Sequence, residues 1–572
     1  MIAEASYKSV CVFILIFILT LTVQAVRQGW SEPLLCLELF LIVAGLITAV
    51  FQKSLSASWH FSLTDGLMLV WFVYVVLNAY FKPEYPCGRE VCTYSSLFAL
   101  YILLRLFSGY KSFPFFCVLL LEIAVVYEII LGGWQLVDGR SHHVLYPVTG
   151  SFFNPGPYSA YISMGMVMAL WQVYLDDESM KYHRIMKLLW GFVLAGGGVM
   201  SVLTGSRTAM LVVALMFLWL YRKSLVKYKW FVLLLGGLVF LCLFWVKKDS
   251  AIGRVVLWSQ SLQLCFHSGW MGAGLGSFRS EYAHQLQMFF KDDYAVENYA
   301  QYADVTDYAF CDFLQLVIEQ GWIGGALCFL VMAFTLMGLY AVQRKLFFAL
   351  VALLIFSLFS YPFQLLPFQL LAICFIACGS QKGEGLKMPL MMRCLVLLVI
   401  ASLSCFCFVT TRRHIEAQNE YQEIAGARYS SLIKDYDKLL LMCEDNPRFL
   451  FDFAKLLQDD GAYLDSNDML RRGLKVSNDP MFLVLMGNNF SSMGLYAEAL
   501  RSYDVAFMQM PNRLYPLYKK MLLYEQMNNQ EKTLQMARRV VAFVPKVASP
   551  ATAQMKSEAA YRIRKLAPQR SS

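Results

Sequence analysis

The first 410 residues are interrupted again and again by apolar runs that approach the length needed to cross a bilayer, about 20 residues for a helix. These runs fall at 10–26, 34–50, 63–81, 93–107, 113–136, 155–175, 186–203, 207–221, 229–246, 312–341, 346–361, 364–378 and 389–409. A chain built this way has few options. In hydrocarbon every main-chain N–H and C=O must be satisfied internally, which leaves helices or closed barrels. The expected fold is all-α: a polytopic membrane helix bundle of 12–13 spans, with Pro362 and Pro367 blurring the eleventh and twelfth. The first run is too closely followed by others to read as a cleaved signal peptide.

Charge is segregated. Of the 89 charged residues, 41 lie in 411–572, and the tail loses the long apolar runs. The whole chain is 58% hydrophobic and 16% charged, with a mean hydropathy of +0.51; soluble domains carry about 25% charged residues. That balance excludes a cytosolic enzyme, a secreted disulfide scaffold and a disordered regulator. The net charge of +9 argues for no nucleic-acid partner, because much of it sits in short loops, where it sets topology. The division expected is a transmembrane domain over 1–410 with an external loop at 247–311, a linker at 411–429, helical repeats at 430–565 and a flexible tail at 566–572.

Orientation follows from lysine and arginine in short loops, which favour the cytoplasmic side. Lys181, Arg184 and Lys187 lie in one loop, and Arg222, Lys223, Lys227 and Lys229 in the next. Arg344 with Lys345, and Lys382 with Lys387, mark two more. With the N-terminus inside, all four fall on the cytoplasmic side, as do Lys53 and the pair Arg105 and Lys111. The other side then receives 82–92, 137–153, 203–207, 247–311 and, after an odd number of spans, the tail. Cys87 and Cys92 fall on that oxidising side, where they form a disulfide or stay as two free thiols. The remaining cysteines sit mostly in apolar helices, and no spacing resembles a zinc site.

In the tail, Pro447, Pro480, Pro511 and Pro545 recur at intervals of 33, 31 and 34, and Gly461 and Gly494 are 33 apart. The stretch GLYAEALRSYDVAF (494–507) has the small-residue and aromatic spacing of a tetratricopeptide repeat, continued at 517–545. Such a period implies stacked helix hairpins burying a shared core. The array is either a binding platform for a protein partner or a packing domain.

Three short motifs fall on the external side. GSFFNPGPYSAY (150–161) makes a turn at Asn154, Pro155 and Gly156 just before a helix. TGSRTAM (204–210) is a short turn with Arg207 at the mouth of the next helix; a cation there is costly unless paired or snorkelling. RVVLWSQSLQLCFHSGWMGAGLGSF (254–278) is an amphipathic helix entering a glycine-rich turn. No strand precedes Gly272, Gly274 and Gly276, which argues against a nucleotide fingerprint.

Taken together, these motifs resemble the superfamily of O-antigen ligases, O-antigen polymerases and bacterial protein O-oligosaccharyltransferases, over roughly residues 140–380. The family's Gly-x-x-x-Asn-Pro loop is matched at Gly150 to Pro155, and its Gly-Ser-Arg turn at 205–207. Its Arg, Trp and His-Pro-x-x-Gly stretch is matched by Arg254, Trp258, His267 and 269–278, with Ser268 in place of proline. Its last motif helix is matched by FCDFLQLVIEQGWIGG (310–325), where Phe310 replaces the family histidine and Cys311 the following asparagine. The resemblance implies a polytopic inner-membrane enzyme that transfers glycan from a polyprenyl-diphosphate carrier, on the periplasmic face, to a lipid, a growing glycan or a protein. In ligases the missing histidine assists deprotonation of the acceptor, so a simple ligase mechanism is not implied.

Such a transfer must stabilise a leaving diphosphate and take a proton from a hydroxyl. Arginine suits the first task, because its guanidinium stays charged and binds phosphate oxygens in a fork. The expected catalytic residues are Arg207, Arg254 and Asp312, with Asn154, Arg279 and His284 in substrate binding. Each has a plainer role available: Asp312 as a helix cap, His284 and Arg279 as solvated surface residues. His142 with His143, and Glu319 inside a span, are further proton acceptors to weigh. No carboxylate cluster argues for a metal, and no cofactor is expected. The competing function is a non-enzymatic glycan-lipid transporter or assembly scaffold.

The topology makes a direct prediction. A C-terminal alkaline phosphatase fusion is expected to be active, and a fluorescent fusion that matures only in the cytoplasm to be dark; the reverse pattern overturns the orientation.

Overall fold

The computed structural model describes residues 31–50, 60–108, 112–143, 145–175, 183–225, 227, 248–380, 386–387 and 389–566. The expected spans at 10–26 and 229–246, the basic residues Lys53, Lys111, Lys181, Lys229 and Lys382, and the tail beyond Leu566 lie outside them. The described chain is essentially helical. In order come α1 (Ser31–Val50), α2 (Leu63–Phe81), α3 (Gly88–Ser108), α4 (Phe113–Asp138), α5 (Pro155–Leu175), α6 (His183–Leu203) and α7 (Arg207–Leu220). Then follow α8 (Lys248–His267), α9 (Phe278–Phe289), α10 (Asp293–Tyr299), α11 (Asp312–Val342), α12 (Arg344–Ser357), α13 (Leu366–Gly379) and α14 (Leu390–Ile424). The tail holds α15 (Ile433–Cys443), α16 (Pro447–Asp459), α17 (Tyr463–Val476), α18 (Met481–Ser492), α19 (Tyr496–Gln509), α20 (Tyr515–Gln526), α21 (Gln530–Ala542) and α22 (Pro550–Leu566). One two-residue ladder pairs His60–Phe61 antiparallel with Leu386–Lys387.

Among the described residues, five helices are long and apolar enough to cross a membrane: α2, α4, α6 from Arg184, α11, and α14 from Met391. Helices α7 and α13 are apolar but short, at 14 residues each, or about 21 Å at 1.5 Å per residue. The chain forms two compact units, one comprising 1–81, 88–247 and 308–415, the other 82–87, 248–307 and 416–572. Two expected boundaries therefore move. The segment 247–311 is not an appendage of the membrane domain, since most of it belongs to the unit that contains the tail. The expected linker is helical as far as Ile424, because EAQNEYQEI continues the helical pattern with good helix formers.

In the first unit, α5 and α13 are buried almost throughout. Helix α5 is surrounded by α4, α6, α7 and α12, and α13 by α3 and α11. Small residues allow the closest crossing: a Cβ on Gly338 of α11 would overlap the carbonyl of Gly379 at the end of α13, the close backbone approach that glycine permits between membrane helices. The outer faces are apolar as well. On α4, Phe115, Leu119, Ile123, Ile130 and Trp134 are exposed at helical spacing, while Cys117, Leu121, Ala124 and Val125 pack inward. A helix apolar on both faces suits a lipid surrounding.

Arg105 does not lie in a basic loop as the charge pattern suggested. It sits within α3, 5% exposed, and its Nε and Nη2 donate to Asp65 at 2.7 and 2.8 Å. Asp65 also accepts from Tyr101 Oη at 2.5 Å and from the Ser62 amide and hydroxyl at 2.7 Å each. With a partner for every lone pair, this ion ties the start of α2 to the end of α3.

The second unit consists of α8 to α10 and the tail. Helices α16 to α22 each pack on the helix before and after them, around three apolar clusters that include Phe449 and Phe453, then Ala499 and Tyr503, then Met521 and Ala537. Gly461, Gly494 and Asn528, spaced 33 and 34 apart, all have positive φ at the end of a helix, which is where a left-handed residue closes it. Asn446 and Asn529 cap α16 and α21.

Because removing one partner strands the other as a buried charge, Arg105→Leu is expected to cost about 3–5 kcal/mol, whereas Asp65→Leu with Arg105→Leu recovers most of it. Unfolding in detergent measures both; equal losses would show that the cost does not come from a stranded charge.

Candidate functional site

One end of the first unit is built from non-helical backbone, and polar side chains hold it in place. The loop 147–154 is fixed from α4. Gln135 Nε2 donates to the Gly150 carbonyl at 2.6 Å, and its Oε1 accepts from the Thr149 and Gly150 amides at 2.9 and 2.8 Å. Glu128 accepts from the Ser151 amide at 3.0 Å and from its hydroxyl. Gly150 has φ +58°, and a Cβ there would overlap Glu128 Oε2 and the Tyr158 ring. Glycine at the head of this motif is thus required twice, by conformation and by space.

Beyond it, Asn154 Oδ1 accepts from the Gly156 amide at 2.9 Å, an Asx turn that opens α5 at Pro155. Ser159 Oγ on the first turn of α5 lies 2.8 Å from Ser206 Oγ. Ser206 in turn caps α7 by accepting from the Ala209 amide at 3.3 Å. The two helices thereby begin side by side. Arg207 is the first residue of α7 and half-buried. A cation at a helix N-terminus adds to the positive end of the macrodipole, where anions are favoured.

Asp312 opens α11 and is buried. It accepts from the Phe363 amide at 3.0 Å and from Gln364 Nε2 at 3.3 Å, holding the short 3₁₀ turn Pro362–Gln364 against the start of α11. Tyr361, just before that turn, stacks on Tyr308 at 4.3 Å and meets the Phe310 ring edge-on at 5.1 Å. Phe310 has φ +50°, an uncommon conformation for a bulky residue. Strain of this sort, about 1–3 kcal/mol, clusters at functional sites. Ser360 lies near Gly156, which brings the Asn154 turn and the 358–365 segment together.

Asp312 and Gln364 also line a cavity of about 650 Å³ between α2, α3, α11, α12 and α13. Its other walls are mainly apolar, among them Trp71, Phe98, Met332 and Ile376. Along it, α11 is broken at Gly321, with φ 69° and ψ −178°. The freed Gln320 carbonyl accepts from Tyr74 Oη at 2.5 Å, and the Gln320 side chain accepts from Trp71 Nε1 at 3.0 Å and donates to Tyr94 Oη at 3.2 Å.

The other expected site residues belong to the second unit. Arg254 is half-buried on α8. Arg279 on α9 pairs with Asp307 at 3.0 Å, which gives it an anchoring role inside its own unit. His284 is exposed on α9. The His142–His143 pair builds its own loop: the His143 Nδ1 accepts from the Leu145 amide at 3.1 Å, and the ring packs on Tyr146. Glu319 accepts from Gln315 Nε2 at 3.1 Å. No disulfide joins Cys87 and Cys92. Gln135, Ser206, Gln320 and Tyr361 were not among the expected site residues; a lone glutamine in an apolar helix is the signal that marks two of them.

Gly139 offers a control for Gly150, because it has φ +70° but open space around it. Gly139→Ala is expected to cost about 1 kcal/mol for conformation alone, and Gly150→Ala clearly more, as a lower melting temperature in detergent. Equal losses would deny the close packing of the 150 loop. Among known proteins, no family model matches this chain, and no curated protein matches it either.

Proposed function

We propose that this chain is an inner-membrane glycosyltransferase, moving glycan from a polyprenyl-diphosphate carrier to an acceptor hydroxyl on the periplasmic face. The observation that carries this reading is the mainly apolar cavity with Asp312 and Gln364 in its lining. A mainly apolar slot between membrane helices, with a buried carboxylate in its wall, suits a substrate with a long hydrocarbon chain and a polar head. The motif resemblance supplies the chemistry, and the paired helix starts at Ser159 and Ser206 supply an anion-favouring corner.

In this reaction the acceptor oxygen attacks the anomeric carbon, the bond from that carbon to the diphosphate oxygen breaks, and polyprenyl diphosphate leaves. Asp312 receives the acceptor proton; its lone pairs are aimed by Phe363 and Gln364. Arg207 and Arg254 are each candidates to stabilise the charge that develops on the diphosphate, and Asn154 shapes the loop that faces the sugar. The acceptor is a lipid A core, a growing polysaccharide or a protein. The tail, read as tetratricopeptide-like, serves a protein partner or the chain itself. The broken helix at Gly321 favours one other reading, a glycan-lipid transporter, because discontinuous helices line transporter sites.

Transfer from a polyprenyl-diphosphate donor in purified membranes separates the two. Arg207→Ala and Arg254→Lys are each expected to slow turnover by about 10²–10³-fold, and Asp312→Asn by about 10²–10⁴-fold, at equal protein level. Normal turnover in all three rejects the mechanism. Movement of the lipid-linked glycan across proteoliposomes without bond cleavage favours the transporter.

A further inference from the structure

In the second unit a stretch of chain without helix or strand, residues 303–306, runs against the loops that join one tail hairpin to the next. Its main-chain carbonyls are taken up by side chains. Asn478 Nδ2 donates to the Thr306 carbonyl at 2.5 Å, and Asn512 Nδ2 to the Ala303 carbonyl at 2.7 Å. Lys546 Nζ approaches the same Ala303 carbonyl at 3.5 Å and pairs with Asp304 at 3.3 Å. A carbonyl oxygen has two lone pairs and can accept both donors.

The three donors are not scattered. Asn478, Asn512 and Lys546 are spaced 34 and 34 apart, each in the loop that follows the second helix of a hairpin: after α17, α19 and α21. They are the same position of three successive repeats. Asn478 and Asn512 are buried, so each amide would lose a hydrogen bond at a real cost were the strap absent. Ala303 is buried as well. Charge adds to the fit: Asp304 meets Lys546 in an inter-repeat loop, and Asp307, just past the stretch, meets Arg279 at 3.0 Å on α9, which packs on α17 and α19.

We propose that the inter-repeat loops form a clamp for an extended, acidic polypeptide backbone, and that its occupant is this chain's own segment 303–307. Recognition runs mainly through main-chain carbonyls, with one donor per repeat, and the aspartates set polarity and register. The partner that fits this edge is an extended strand-like peptide with two carboxylates three residues apart. A foreign peptide of that chemistry must displace the strap. The strap leads in sequence into Phe310 and Asp312; the clamp does not rest on the glycosyltransferase reading.

Two experiments on the full chain in detergent test the clamp. In the first, hydrogen exchange is compared between the unmodified chain, Asn478→Ala with Asn512→Ala, and a control, Lys438→Ala, which breaks an exposed pair with Glu420 elsewhere in the tail. The expected result is at least about tenfold faster exchange over 303–307 in the double variant only, with α17 and α19 still protected. Unchanged exchange over 303–307, or equal loosening of the whole tail, overturns the proposal. In the second, residues 303–307 are replaced by a Gly-Ser linker, and a fluorescent peptide of sequence 299–309 is titrated by anisotropy. Saturable binding is expected to the strapless chain and not to the unmodified one. Binding is also expected to weaken at least tenfold when Asp304 and Asp307 of the peptide become lysine, or when the strapless chain carries Asn478→Ala and Asn512→Ala. No binding by a strapless chain that keeps its helical content, or binding indifferent to the asparagines, overturns it.

Discussion

The constraint on which the first unit depends is that hydrocarbon offers no hydrogen bonds to the main chain. A helix meets it automatically, and most of the unit is helix. At several described breaks in the helices, a side chain supplies the missing partner. Gln135 does so at Thr149 and Gly150, Glu128 at Ser151, Asp312 at Phe363, and Tyr74 at the carbonyl freed beside Gly321. Polar side chains in such helices are expensive. Their concentration at one end of the unit, and along the break in α11, marks where the fold accepts cost to keep irregular backbone.

Irregular backbone in turn creates helix ends. Pro155, Arg207 and Asp312 all begin helices, and the first two beginnings are joined through Ser159 and Ser206. A helix start presents a positive dipole end, and here Asn154 and Ser206 take up the Gly156 and Ala209 amides. Placing Arg207 on such a start is unfavourable for the isolated helix, so the corner is better suited to an anion than to solvent. Asp312, by contrast, is a carboxylate at a helix start, where the dipole favours it, and its side chain is spent on the 362–364 turn. The same geometry that stabilises the turn fixes where its oxygens point.

Much of this was legible in the sequence, and the limits have physical causes. Apolar length located most of the described helices of the first unit, five of which are long and apolar enough to cross a membrane, because hydrocarbon thickness imposes length. Asn154, Pro155 and Gly156 flagged a turn and Pro362 blurred a span, because such residues change local backbone rules, whereas the break at Gly321 was not legible inside an apolar run. Pairing was not legible. Arg105 looked like a loop cation, since nothing near it in sequence announces Asp65, 40 positions away, as its partner. Arg279 reads as a substrate-binding or a solvated surface residue, since nothing near it in sequence announces Asp307, the group it meets. The boundary at 411–429 was missed because a change from apolar to charged residues alters a helix's surroundings without ending it.

The tail shows a second kind of information that local patterns hide. A 34-residue period predicts that equivalent positions share a structural environment, and the sequence displays the period through prolines and glycines. What it does not display is that Asn478, Asn512 and Lys546 use the shared position for a shared task, since two amides and an amine look unrelated. They converge because a carbonyl oxygen accepts from either donor type, so the recognised chemistry lies in the strap's backbone and leaves little trace in its side chains. A surface that reads backbone constrains its ligand by extension and register, and Asp304 and Asp307 provide the register. A tail of stacked hairpins can therefore be specific for one segment of its own chain without any conspicuous motif in either partner.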